Sequence, residues 1–421
     1  MTKCPQGAGR PGHSATRRQV LQLGGGLAAG AVLGFPHIAR AQADKIRIGH
    51  LTPMTGFLGV LGEWSVLGIR MAADEINAAG GVLGRPIEVA SEDSINPDAA
   101  ATKAQRMLER DGVALLMGEI SSASALAISQ VAARNKRLFM ALGPRSDTLR
   151  GKSCNRYMFC TDIPNTVMVN AVGSALLRDG LVKGKRFHTL TADYVFGHDL
   201  LRAAKAFFAA NGATLTGDEL VATDVTDFSP YLLKIRQAKP DMVCLNLAGN
   251  QVTNFVKQYS EFGLSYPTVG FNLNTADAWA AGKGNLSGVW PTVWYHTLDT
   301  PGSKAFVADF QKKYKKTPEN HAWIEYIALK LVARAMQETK STDTEKLVEF
   351  FEKGADFDIL KARKAYFRAW DHQLIQEGYP FSVKDNAADQ YDLMVLGAAV
   401  PGADQPLESI YPTKEQNPCS L

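Results

Sequence analysis

Two residue types in this chain could together grip an anion: the hydroxyl pair Ser121-Ser122, and Arg145. A serine offers a neutral donor, whereas an arginine offers a permanent charge on a planar fork of N–H groups. Their usefulness depends on what surrounds them. The apolar run Val113 to Met117 stops at Gly118, the serines follow, and a helical pattern runs from Ala125 to about Asn135. A second apolar run, Leu138 to Leu142, ends in Gly143-Pro144-Arg145. That order predicts a strand, a helix opened by serines, and a second strand. In open α/β sheets, ligands sit outside the carboxyl ends of the strands. The free N–H groups of a helix start there favour negative charge. The plainer role for either serine is to cap its helix.

The same rhythm predicts the elements that must hold this pair in place. Lys45 to Leu51 alternates strictly and reads as a half-buried strand, followed by a Gly/Pro-punctuated loop, a helix from Trp64 to Ala78 and a strand from Pro86 to Ala90. After Cys160 the pattern restarts, and a second βα array fills roughly residues 165–290. Helices are expected at Ser303 to Lys315, His321 to Thr339 and Thr344 to Lys353, with paired strands from about Lys364 to Val400. Short βα repeats imply parallel, doubly wound sheets, here in two Rossmann-like lobes without a flexible linker.

Composition narrows the function. With 46% hydrophobic and 21% charged residues, the 421-residue chain is that of a globular protein of about two domains. Residues 1–43 carry five basic side chains and no acid, and Thr16-Arg17-Arg18-Gln19-Val20-Leu21 resembles a twin-arginine export motif. A short Gly-rich apolar segment and Ala41-Gln42-Ala43 complete an export signal expected to be cleaved near Ala43, releasing the chain into the periplasm without stable membrane insertion. Beyond it, 41 basic residues face 42 acidic ones, so nothing favours nucleic acid. Four cysteines remain after cleavage: Cys154, Cys160, Cys244 and Cys419. Their three pairings stay open, with a local Cys154–Cys160 loop as the candidate bridge and Cys244 as a buried thiol. No metal-type spacing, G-x-S-x-G, H-E-x-x-H or G-x-x-x-x-G-K-[ST] occurs, so no metal, cofactor or catalysis is expected.

The ordered set Thr52-Pro53-Met54-Thr55-Gly56, Glu75-Ile76-Asn77-Ala78-Ala79-Gly80-Gly81, Gly118 with Ser121-Ser122, Ala192-Asp193-Tyr194-Val195-Phe196-Gly197 and Asp227-Phe228 resembles the branched-chain amino acid (Leu/Ile/Val-binding-like) solute-binding proteins of ABC importers. The resemblance spans Ile46 to about Val400. It implies the type I periplasmic binding protein fold, with two lobes joined by a three-stranded hinge closing on a small solute. It further implies a monomer that works with importer permease subunits. In these terms the lobes are 44–163 plus 294–363 and 164–293 plus 364–400, with 401–421 as a tail. By position, Ser122 matches a serine that holds the ligand carboxylate, and Gly143 and Arg145 fall where a backbone carbonyl and a hydroxyl residue meet the ligand. Phe196 matches a second-lobe aromatic with Tyr194 as a neighbouring wall, and Ala248, flanked by Asn246, falls where amino-acid binders carry another aromatic.

Two departures point away from amino acids. The position that carries an acid against the ligand ammonium is Asn272 here, and Arg145 adds a cation. A buried ammonium without an anionic partner is costly, although Glu119 or Asp193 would restore an anion. The cargo expected is therefore a carboxylate without an α-amino group, such as an aromatic or short oxo or hydroxy acid. The alternatives are an amino acid, an amide, or a role as periplasmic ligand-sensing subunit for a membrane sensor.

Overall fold

The computed structural model describes residues 44–384 and 386–421. The export motif, the cleavage site and Cys4 lie outside them. Three sheets organise these residues. The first has seven strands, in the order Tyr366–Arg368, Gln373–Ile375, Met158–Cys160, Phe139–Ala141, Leu115–Gly118, Ile46–Thr52, Ile87–Asp93. All its pairings are parallel except the hairpin of the two C-terminal strands. The second is a parallel four-stranded sheet in the order Thr214–Val221, Arg186–Ala192, Met242–Asn246, Thr268–Gly270. A small antiparallel sheet of Val289–Thr292, Tyr379–Val383 and Met394–Leu396 completes the second lobe.

Helices cover both faces of the first sheet. Pro97–Glu109 and Ser122–Arg134 pack Ala104, Met107, Ile128 and Val131 against Leu116 and Phe139. On the other face lie Gly59–Ala78 and Asn320–Thr339, whose backbones approach so closely that a Cβ on Gly68 would sit 2.1 Å from the Ala322 carbonyl oxygen. Sandwiching of this kind explains one departure from expectation. Ile46–Thr52 is not half-buried: only Arg47 reaches partly into solvent, because a central parallel strand is covered on both faces.

Three segments, 161–164, 293–300 and 376–378, carry the chain between the lobes. The third crossing comes later than the sequence pattern suggested. Residues 366–375, expected in the second lobe, add two strands to the first sheet through Gln373 beside Cys160. The edge left open by Met158–Cys160 accepts them, and no local pattern announces such a pairing. The crossings are tied by buried polar side chains: Gln376 Nε2 donates to the Thr161 carbonyl at 2.7 Å, and Lys361 Nζ donates to Gln376 Oε1 at 2.8 Å.

The cysteines correct another expectation. Cys154 bonds Cys419 across 265 residues, while Cys160 and Cys244 are free and buried. Cys160 ends a strand and lies in the core, out of reach of the turn that carries Cys154. The bridge pins the tail to the first lobe, where Asn417 Nδ2 also donates to the Asp147 carbonyl at 3.0 Å. Within the tail, the Tyr411 hydroxyl reaches the third crossing, donating to the Gln376 carbonyl at 2.8 Å.

Candidate functional site

Between the lobes lies a cavity of about 20 Å³, to which each lobe contributes five lining residues. Leu58, Ile120, Gly143, Arg145 and His321 come from the first lobe, and Tyr194, Phe196, Ala248, Asn272 and Asn274 from the second. Such a volume holds about one water molecule, so a larger solute enters by parting the lobes. Of the residues expected from sequence, Gly143, Arg145, Tyr194, Phe196, Ala248 and Asn272 come together here.

Strand ends and helix starts do the positioning. Glu119 follows the strand Leu115–Gly118 at φ +69°, a strained conformation for a residue with a Cβ. Its buried carboxylate accepts the Ile120 and Ser121 amides at 2.9 and 2.7 Å, which fixes the turn that presents Ile120. Burial pushes that carboxyl up to about 7. Ser121 caps the next helix, its Oγ accepting from the Ser124 amide at 3.4 Å. From the second lobe, Tyr194 and Phe196 open the helix Val195–Ala210, with ring centroids 5.6 Å apart, and Phe57 of the first lobe meets Tyr194 edge-on at 5.6 Å. The chain after Ala248 turns at Gly249, where a Cβ would lie 2.0 Å from the Phe57 carbonyl oxygen, and that carbonyl accepts the Asn250 amide across the cleft at 3.0 Å.

Two expected contacts fall outside the cavity. Ser122 is buried, and its Oγ accepts the Ser146 amide at 3.2 Å because the loop after Gly143 folds back over the helix start. Asn246 points into its own lobe, its Nδ2 donating to Thr191 Oγ1 at 3.4 Å on the neighbouring strand. His50 and His198, which lie at strand and helix positions near the sheet ends, bond Glu325 at 3.3 Å and Asp193 at 2.6 Å.

Electrostatics centre on Arg145, which is 4% exposed. Its Nε donates to Asp162 Oδ2 at 2.8 Å, and its Nη1 donates across the cleft to Asn272 Oδ1 at 2.7 Å. Asn272 therefore braces the guanidinium where the resemblance implied an acid, and its own Nδ2 is spent on the Leu247 carbonyl at 2.8 Å. Beside them His321, unremarked in sequence because it sits inside a helical pattern, turns Nδ1 to Glu319 Oε2 at 3.0 Å. Asn274 Nδ2 donates to Asp277 Oδ2 at 3.1 Å. Burial pushes Asp277 up to about 7, with the nearby Glu319 adding to it. Among the described residues, no group of three or more His, Cys, Asp or Glu is placed to hold a metal ion.

The model of the periplasmic binding protein family matches residues 45–388. The chain belongs to that family. Leu/Ile/Val-binding protein homolog 8 of Brucella suis is 25% identical over 343 residues, covering 77% of this chain and 83% of that protein. A periplasmic binding protein from Burkholderia mallei superposes with a TM-score of 0.82 at 30% identity, over 90% of this chain and 99% of that one. A solute-binding protein of an ABC transporter from Rhodopseudomonas palustris, solved with 3,4-dihydroxybenzoic acid, shares the fold with a TM-score of 0.76 at 23% identity, over 84% of this chain and 97% of that one. This periplasmic binding protein is thus a solute receptor of the ABC-transporter type, and the two parallel sheets are its two lobes. No helix among its described residues is long and apolar enough to cross a membrane.

Proposed function

We propose that this receptor binds a small carboxylate lacking an α-amino group, foremost an aromatic acid, and hands it to the permease of an ABC importer. One observation carries the reading: among the ten residues lining the cavity there is an arginine and no carboxylate. A guanidinium has five N–H donors, and Arg145 spends two of them on Asp162 and Asn272. The remainder suit a bidentate carboxylate, and the Tyr194 and Phe196 rings suit a flat apolar body. The acid bound by the Rhodopseudomonas protein of the same fold has no amino group either.

An amino acid is the second reading, favoured by Asp277 behind Asn274 and by the name of the Brucella relative. Thermal unfolding separates the two. Benzoates and short oxo or hydroxy acids at about 100 times their dissociation constant should add about 2.7 kcal/mol and raise the Tm by a few degrees, more than any amino acid or amide. Larger shifts with leucine, isoleucine or valine would overturn the proposal.

A further inference from the structure

Two residues of the cavity wall each carry a polar atom that the carboxylate reading does not use. His321 and Asn274 are 1% and 3% exposed, and neither His321 Nε2 nor Asn274 Oδ1 has a hydrogen-bond partner among the described residues. Both side chains line the same cavity from opposite lobes. A buried polar atom without a partner calls for an explanation, and two on facing sides of one cavity point to a group that joins them there.

The neighbours define what that group must be. Glu319 Oε2 accepts from His321 Nδ1 at 3.0 Å, which orients the ring and leaves Nε2 as its unpartnered nitrogen. Asn274 gives its amide N–H to Asp277 Oδ2 at 3.1 Å, which leaves its oxygen as an acceptor. A second carboxylate on the solute would be repelled by that oxygen. An ammonium would satisfy both atoms but would bring a charge into a wall without an anion. A hydroxyl donates to Asn274 Oδ1 and pairs with Nε2 whichever way that nitrogen is protonated, since it is both donor and acceptor.

Resting on the carboxylate reading above, we propose that His321 and Asn274 together read a hydroxyl borne by the solute, so that the preferred cargo is a hydroxylated carboxylic acid. His321 is then a specificity residue held in place by Glu319, and neither residue stands out in the sequence.

Calorimetric titration with matched probes tests this: benzoate against 3- and 4-hydroxybenzoate, propionate against lactate, and benzamide against 4-hydroxybenzamide. The hydroxylated acid of a pair should bind at least about tenfold more tightly, the equivalent of about 1.4 kcal/mol. In His321→Phe and Asn274→Leu that ratio should fall to near one. The wild-type ratio alone decides the matter should either variant fail to fold. Acids that bind equally with and without the hydroxyl would overturn the inference and leave the carboxylate reading standing. Hydroxylated amides that bind as tightly as the acids would do the reverse. Tighter binding of 4-(aminomethyl)benzoate than of 4-hydroxybenzoate would overturn the inference in favour of an ammonium, and binding of none of these probes would overturn both.

Discussion

Arg145 and Arg150 stand in one loop and are both almost wholly buried, yet they are bonded in opposite ways. Arg150 makes four hydrogen bonds: Nε to Gln373 Oε1 at 2.6 Å, Nη1 to the Pro144 and Ser146 carbonyls at 2.7 and 3.0 Å, and Nη2 to the Asp162 carbonyl at 2.9 Å. Its acceptors are neutral and come from the loop, the first crossing and the last strands of the first sheet. Arg145 makes two bonds, one to the Asp162 carboxylate and one across the cleft. A guanidinium that cements a fold is saturated by its surroundings, whereas one kept for a ligand is held by one edge with the other unspent. Burial alone does not distinguish the two, but their donor accounting does.

Removing the saturated arginine should have the largest effect. Arg150→Met leaves the Pro144 carbonyl and Gln373 Oε1 without a donor and takes one of two donors from the Ser146 and Asp162 carbonyls, at a cost of about 3–5 kcal/mol, read from the midpoint of denaturant unfolding. A variant as stable as the parent would erase the distinction drawn between the two residues.

Next comes the unsaturated one. Arg145→Met strands the buried Asp162 carboxylate, so it loses both stability and binding. Adding Asp162→Asn removes that lone charge and keeps an acceptor for the Ile163 amide, which Asp162 Oδ1 holds at 2.8 Å. The double variant should recover to within about 1 kcal/mol of the parent in unfolding while its affinity for a carboxylate stays about 100-fold lower. Recovery of binding along with stability would show that Arg145 serves the fold, as Arg150 does.

Much of this was legible in the sequence, and what was not has a common cause. Period-two runs and 3.6-residue repeats depend on near neighbours, so the strand Leu115–Gly118, the helix Ser122–Arg134 and the strand Phe139–Ala141 could be read in order, Ser121 as a cap included. Arg145 could be placed near the cleft from the strand end before it and the resemblance around it. Long-range pairings could not: the Cys154–Cys419 bridge and the addition of Gln373–Ile375 to the first sheet depend on chain folded in between. The occupied hydroxyl of Ser122 depends on a loop that returns from beyond the next strand. His321 was invisible for a different reason: its helix is buried along nearly its whole length, so a polar residue facing the cavity leaves no gap in the pattern.

The comparison extends to the acids around each arginine, with the smallest expected effect. Arg150 is bonded to neutral groups, whereas the cavity side holds Asp277, lifted by burial from the ordinary aspartate range to about 7. Between about pH 4 and 7 the folded protein therefore binds a proton at Asp277 that the unfolded chain does not. Stability from this group is fully present below about pH 4 and is lost as the pH rises towards 7, with a slope of at most about 1.4 kcal/mol per pH unit. His296 and His372 work against it: burial lowers both to about 4, so stability from them is lost as the pH falls. The wild-type profile alone thus mixes opposing signs. Subtracting the profile of Asp277→Asn isolates the aspartate, because the histidines contribute equally to both proteins. Tm of the wild type minus Tm of the variant should rise steadily as the pH is lowered from 8 to 5, by a few degrees in all. A flat difference would mean that Asp277 is as well solvated as a surface acid, and the electrostatic contrast between the two sides of the loop would disappear with it.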